Sequence, residues 1–232
     1  MRVLKSFPAA ASILRRAAGL ILHKPEIRIE SETIGSDYGA HTIPAGVLTP
    51  SSTVYSFGIG NDASFDLGVI DRYGCAVHGF DPTPRSVAWV ADSVSEPRFL
   101  FHQLGIGASD GEDSFEAPKR DAHVSYFSAV ESASTWRFKV NRLATIMEDL
   151  GHGSLDILKM DVEGFEYAVL PDMMSSRIRP RAIAVEFHHR MHGIAEAKTN
   201  AAVTGLRHYG YRLFHVSNTG REYSFIDMES AH

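Results

Sequence analysis

From Thr53 onward, short apolar runs alternate with longer stretches whose apolar residues recur at helical spacing. Val54 to Phe57 has the compact apolar character of a buried strand, and Phe65 to Tyr73 repeats its apolar positions as a core-facing helix does. Cys75 to Phe80 then reads as a strand, Pro84 to Ser93 as a helix opened by its proline, and Phe99 to Leu104 as a third strand. Asn141 to Leu150 has helical spacing and stops at Gly151, and Leu155 to Met160 forms a fourth strand. A helix from about Gly164 to Met174 turns Phe165, Ala168 and Val169 toward the sheet, Ala182 to Phe187 is a fifth strand, and Ala195 to Tyr209 a further helix. Strands separated by single helices pack as a parallel sheet covered on both faces, because the crossovers are right-handed.

The ending departs from that rhythm. "YRLFHVSNTGREYSFID" holds two β-rich runs joined by Asn218, Thr219 and Gly220, a hairpin signal that places one antiparallel strand in the sheet. The expected architecture is therefore Rossmann-like α/β, a seven-stranded and mostly parallel sheet with a C-terminal antiparallel hairpin. Between Gly107 and Val140 the chain is rich in Gly, Ser and Asp around a β-like run, His123 to Phe127, and is expected to hang over the sheet edge. Pro44, Gly46, Pro50, Ser51 and Ser52 form a breaker-rich passage that separates an N-terminal helical or irregular extension, residues 1–50, from the main domain, residues 51–232. In the extension, Ile13, Leu14, Ala17, Leu20 and Ile21 make one apolar stripe beside Arg15 and Arg16. Such a helix docks on its own domain or on a second copy in a homodimer; weak contact with a membrane surface is the alternative.

Composition narrows the class. At 232 residues the chain suits one sizeable α/β domain, and its formal charge of −5 lacks the basic excess a nucleic-acid binder needs. No apolar run approaches the roughly 20 residues that span a bilayer. A single cysteine, Cys75, cannot close an internal disulfide, so a cytoplasmic setting is expected.

Candidate chemistry lies where the strands end, since doubly wound sheets bind ligands beyond the carboxyl ends of their strands. The first strand runs into "GIGND", where Gly58 and Gly60 permit a tight turn and close approach of a ligand. The second ends in "HGFDPTP". Asp81, about twenty residues after Gly58, is placed to accept hydrogen bonds from the ribose hydroxyls of an adenosine cofactor; N-capping of the next helix is its ordinary structural alternative. Pro82, Thr83 and Gly105 belong to the same expected cofactor rim. Asp161 tips the fourth strand and Glu163 opens the helix after it, while Glu186, His188 and His189 fall at the end of the fifth. These residues suit acid–base work on an acceptor, with His188 as a neutral base and Glu186 orienting it. Asp161, Glu163, Glu186 and His188 also have the donor types for a divalent metal, but their spacing is no metal signature, and none is expected. Tyr38 and His41, ahead of the first strand, are candidates for a lid, and His189 for substrate contact.

"KMDVEGFEYAVL", together with "YSFGIGNDASFD", "GFDPTP" and "AVEFHH", resembles the FkbM-type S-adenosylmethionine-dependent methyltransferases, a family with the class I methyltransferase fold. The resemblance runs from about Ile34 to the C-terminus, and Lys159 to Glu166 is its most specific part. It implies methyl transfer from S-adenosylmethionine to a hydroxyl of a sugar, glycan or polyketide-like small molecule. Gly58, Gly60 and Asp81 would hold the cofactor, with Asp161 near its methionine end. Ser56 stands where such fingerprints usually place an acid and Asp62 where they place a third glycine, so the cofactor's amino group is expected to meet Asp62 or Asp161. A nicotinamide-dependent oxidoreductase is the competing reading, weakened by the closing hairpin and by the lack of a Tyr-x-x-x-Lys pair. A non-catalytic adenosyl-cofactor-binding protein is the third.

Overall fold

The computed structural model describes residues 21–116, 127–128, 135–191 and 193–229. Most of the expected N-terminal stripe and of the His123 to Phe127 run lies outside them. In chain order the strands are β1 (Ser31–Ile34), β2 (His41–Pro44), β3 (Val54–Phe57), β4 (Val77–Phe80), β5 (Phe99–His102), β6 (Gly105–Ile106) and β7 (Gly111–Glu116). They continue with β8 (Phe127–Ser128), β9 (Thr135–Asn141), β10 (Ile157–Met160), β11 (Ala182–Glu186), β12 (Tyr211–Val216) and β13 (Glu222–Asp227). The described helices are α1 (Ser64–Tyr73), α2 (Pro84–Ser93), α3 (Leu143–Asp149), α4 (Glu166–Ser175) and α5 (Glu196–His208).

Seven strands form the central sheet in the order β12-β13-β11-β10-β3-β4-β5. β5, β4, β3, β10 and β11 run parallel, and β13 enters antiparallel to both β11 and β12. Every residue of β3 and β10 is buried, as strands covered on both faces must be. Alternate side chains feed two cores: Tyr55, Phe57, Leu158 and Met160 join one, and Val54 and Ile157 the other. α1 stops at Gly74, whose φ of 73° lets its N–H return to the Ile70 carbonyl. α2 starts where the Thr83 side chain accepts a hydrogen bond from the Ser86 N–H and Pro84 fills the first helical position.

Two stretches differ from the expectation. The residues before Thr53 are not simply irregular: β1 and β2 form an antiparallel hairpin, and Ile34, Ile43, Val47 and Leu48 enter the same core as Val54. The hairpin is fastened to the sheet where the Ser224 hydroxyl donates to the Thr42 carbonyl at 2.7 Å and Arg181 to the Val47 carbonyl at 3.0 Å. Strands of four residues in a passage dense with Gly and Pro are too short for a periodic signal to show. The middle segment, expected to hang over the sheet edge around one β-like run, supplies a second sheet ordered β6-β9-β7-β8.

A cluster of rings fills one flank of the sheet. The Tyr55 hydroxyl meets His152 Nδ1 at 2.6 Å, and His78 Nδ1 meets His102 Nε2 at 3.0 Å. Burial, then the neighbouring His102 and His152, hold the His78 imidazole down to about 4. An unfolded chain takes up that proton near 6.5, so the unfolded state gains protons first and the fold loses stability as pH falls from about 6.5 toward 4. The urea midpoint is expected to decline across that window, and His78→Phe to flatten the decline. Superimposable profiles for the two proteins would remove the assignment.

Candidate active site

β3 pairs with β4 on one side and β10 on the other, so the chain reverses its winding at β3 and leaves a crevice at the strand ends. There the structure has a cleft of about 800 Å³, the open solvent at its mouth included. Gly58, Gly60, Asp81, Pro82, Thr83, Gly105 and Asp161 all line it, with an apolar wall that includes Phe57, Phe80, Ile106 and Phe165.

Gly58 is fixed by sterics as well as by conformation. Its φ is 81°, and a Cβ there would stand 1.7 Å from the Asp161 carbonyl oxygen. Gly60 has a φ of 58°, and its missing Cβ would meet nothing within 4 Å, which leaves bare backbone facing open space. Asp81, almost fully buried, ties this turn together: Oδ2 accepts from Ile59 N at 3.1 Å and Gly60 N at 2.9 Å. Oδ1 accepts from Thr83 N at 2.8 Å and Thr83 Oγ1 at 2.7 Å. The N-cap of α2 is Thr83 rather than Asp81.

The "KMDVEGFE" stretch builds the opposite wall. Lys159 is buried in β10, and its Nζ donates to the Phe57 and Gly58 carbonyls at 3.3 and 2.7 Å. Glu163 takes a left-handed backbone, φ 51°, and Gly164 follows at 105°, so the chain turns sharply and Asp161 and Glu163 both face the cleft. Glu166, the first residue of α4, is fully buried. Its Oε2 accepts from Gly164 N at 2.8 Å, and its Oε1 from His188 N at 2.9 Å and His188 Nδ1 at 3.1 Å.

His188 thus lies between acids, with Nε2 3.4 Å from both Asp161 Oδ1 and Glu163 Oε2. Burial alone would lower its pKa, but the hydrogen bonds and charges of Asp161 and Glu166 carry it up to about 11. Burial would raise Asp161, yet His188 and Lys159 bring it down to about 2. Glu186 is pushed up to about 8 by burial and then by the Asp161 charge. The geometry gives no support to a free neutral His188 base: Nδ1 faces Glu166 and Nε2 faces Asp161 and Glu163, so the surrounding acids favour a proton or another cation at Nε2. Glu186 and His188 also stand outside the cleft lining and reach it through Asp161.

Other expected site residues are placed differently. Asp62 does not line the cleft; it accepts hydrogen bonds from the Ser36 hydroxyl and, at 2.8 Å, from Ser64 N. Burial would raise its carboxyl, but those bonds hold it below the usual range and fasten the loop carrying Tyr38. Tyr38 does line the cleft and is 82% exposed, as a residue at its mouth should be. His41 is a buried core ring packed edge-on against Phe65, not a lid. His189 is buried with Nδ1 3.2 Å from Thr199 Oγ1, turned toward α5, and does not line the cleft. On α4 it is Glu166, Val169, Leu170 and Met173 that are buried, while Ala168 is exposed. The roles of Lys159 and Glu166 were not anticipated. Their signal was a charged residue in an all-apolar strand, and an acid on the same helical stripe as Leu170 and Met173.

The architecture is that of a class I methyltransferase, with one antiparallel strand closing an otherwise parallel sheet. The profile of the methyltransferase FkbM domain matches residues 37–213, and the chain belongs to that family. Probable methyltransferase-like protein 24 of Rattus norvegicus is 25% identical over 180 residues, 73% of this chain and 44% of its own length. The Homo sapiens protein of the same name is 24% identical over 173 residues, covering 70% and 42%. The chain therefore spans less than half the length of these relatives. Among solved structures, Aeropyrum pernix fibrillarin in complex with natively bound S-adenosyl-L-methionine aligns at a TM-score of 0.44 and 13% identity, over 87% of this chain and 84% of that one.

Proposed function

We propose that the chain binds S-adenosylmethionine in this cleft and methylates a hydroxyl oxygen of a sugar, glycan or polyketide-like small molecule. The observation that carries the reading is the meeting of the Gly58–Gly60 turn, Asp81 and Asp161 around one crevice at the winding reversal of a methyltransferase-family chain. The residues fit that cofactor. Bare backbone at Gly60 admits close approach, apolar side chains offer a surface for an adenine ring, and Asp81 faces the same space.

Asp81 has to release an oxygen lone pair to hold a ribose, and Thr83 provides the means. Its single hydroxyl proton has two acceptors within reach, Asp81 Oδ1 at 2.7 Å and Ser86 Oγ at 2.6 Å. Rotation toward Ser86 frees Asp81 for a ribose hydroxyl. When bound, S-adenosylmethionine supplies a sulfonium methyl carbon, which leaves sulfur with its bonding pair behind as the acceptor oxygen takes it. Asp161 and Glu163, which line the cleft opposite Asp81, orient that oxygen, and Glu163 receives its proton. A second cleft shares Glu163 and Phe165 with the first and sets Ser109, Asp113 and Lys198 beside the apolar Val140 and Ile194, a mixed lining that a polyhydroxylated acceptor can use.

Calorimetry provides the test. Hydrogen bonds to a charged acceptor contribute about 1.5–3 kcal/mol each, so losing two in Asp81→Ala is expected to weaken S-adenosylmethionine binding by about 100-fold or more. A folded variant with unchanged affinity would refute the ribose role. S-adenosylhomocysteine release against a panel of hydroxylated acceptors then identifies the substrate.

A further inference from the structure

Beside the cleft, Asp161 from the tip of β10 and Glu186 and His188 from the tip of β11 converge, one donor atom from each lying within 4.8 Å of the other two. We propose that these three side chains hold a divalent cation of the Mg²⁺ or Mn²⁺ type, and that the ion positions and acidifies the acceptor hydroxyl. The ion site stands on its own; its action on the acceptor rests on the methyl-transfer reading above.

Spacing is the first argument. His188 Nε2 is 3.4 Å from Asp161 Oδ1, longer than the roughly 2.7–2.9 Å of a charge-assisted hydrogen bond. Two donors each about 2.1 Å from a common ion lie roughly 3–4.2 Å apart, so the separation suits a shared cation better than direct contact. Orientation is the second. Glu166, outside the trio and fully buried, accepts a hydrogen bond from Nδ1 and so turns Nε2 toward the carboxylates. A carboxylate that fixes ring and tautomer from behind is the usual support of a metal-ligating histidine. The third argument is charge. Asp161, Glu163 and Glu186 crowd one spot, and although the Lys159 charge favours the Asp161 carboxylate, its Nζ makes its hydrogen bonds to the Phe57 and Gly58 carbonyls. Arg221 reaches only the flank, 3.3 Å from Glu186 Oε1. Carboxylate oxygens with one imidazole form a donor set that Mn²⁺ and Mg²⁺ accept. Because Asp161 also lines the cleft, an ion there would adjoin the acceptor, lower the pKa of its hydroxyl and ease proton loss to Glu163.

The test is titration of the chelator-treated, desalted full chain with Mn²⁺, reading the free aqua ion by electron paramagnetic resonance. One saturable site per chain is expected, displaced by excess Mg²⁺. Glu186→Gln and His188→Gln should each weaken it at least about 10-fold. Glu186 lies nearer the surface, so that variant keeps the test decisive if the buried His188 substitution fails to fold. Asp81→Ala should retain Mn²⁺ while losing S-adenosylmethionine. No saturable uptake, or uptake unaltered in folded Glu186→Gln, would overturn the proposal and mark the trio as an ion-pair cluster. Mn²⁺ uptake by a wild-type chain that ignores S-adenosylmethionine would uphold the ion site and sink the methyl-transfer reading alone.

Discussion

Gly58→Ala is expected to abolish cofactor binding and to lower the melting temperature by on the order of 10 °C. The added methyl would stand 1.7 Å from the backbone oxygen of Asp161, and the residue's φ of 81° belongs to the left-handed region. Left-handed strain for an L-residue costs roughly 1–2 kcal/mol. The overlap is worse, because its partner is backbone in the adjoining strand and no rotamer relieves it. β3 and β10 must separate at the end where Asp161 N donates to the Phe57 carbonyl at 3.0 Å. A total near 4 kcal/mol places the substitution in the severe tail of point mutations, and about 2–4 °C per kcal/mol gives the shift at this chain length. Calorimetry with S-adenosylmethionine and thermal melts check both halves. Gly60→Ala is the internal control: it shares a positive φ, 58°, but its Cβ would meet no protein atom, so it should lose only the left-handed strain, about 2–8 °C, while binding cofactor less well. Equal melting of Gly58→Ala and wild type would show that the close approach is not rigid.

Much of this site was legible because it depends on where strands stop. An apolar run ending on an acid is visible in one dimension, and "GFD" and "LKMD" placed Asp81 and Asp161 at the tips of the two strands that flank β3. α2 was legible too, since Pro84 fixes its start. What failed to show depends on contacts between distant segments. His188 and His189 are adjacent in sequence, yet one ring turns to Asp161 and Glu166 and the other to Thr199. Nothing local distinguishes them. Asp62 follows the glycine turn as a cofactor ligand would, but Ser36, far earlier in the chain, captures it. The hairpin of β1 and β2 was missed for the same reason: its short strands are held by long-range packing of Ile34 and Ile43 on the core that Val54 joins.

Glu166 shows how one residue joins the fold to the chemistry, and its removal should have an effect as large as that at Gly58. The carboxylate is fully buried and accepts from three donors on two elements: Gly164 N, His188 N and His188 Nδ1. Glu166→Ala orphans all three and opens a cavity between α4 and the end of β11. A buried polar group without a partner costs about 1–3 kcal/mol; three at about 1.5 kcal/mol each sum to about 4–5 kcal/mol, and the expected fall in melting temperature is about 8–20 °C. Glu166→Gln separates the contributions. Its carbonyl oxygen can still serve His188, but its amide must then turn N–H groups toward the Gly164 N–H, and one donor faces another. That variant should lose about 1–3 kcal/mol and fall between wild type and Glu166→Ala in urea unfolding. It should also leave His188 aimed at Asp161, whereas Glu166→Ala frees the ring to rotate. Unfolding midpoints for wild type, Gln and Ala in descending order are the expected outcome. Should Gln and Ala prove equally destabilised, the His188 bonds would carry no weight and the Gly164 bond alone would account for the buried acid.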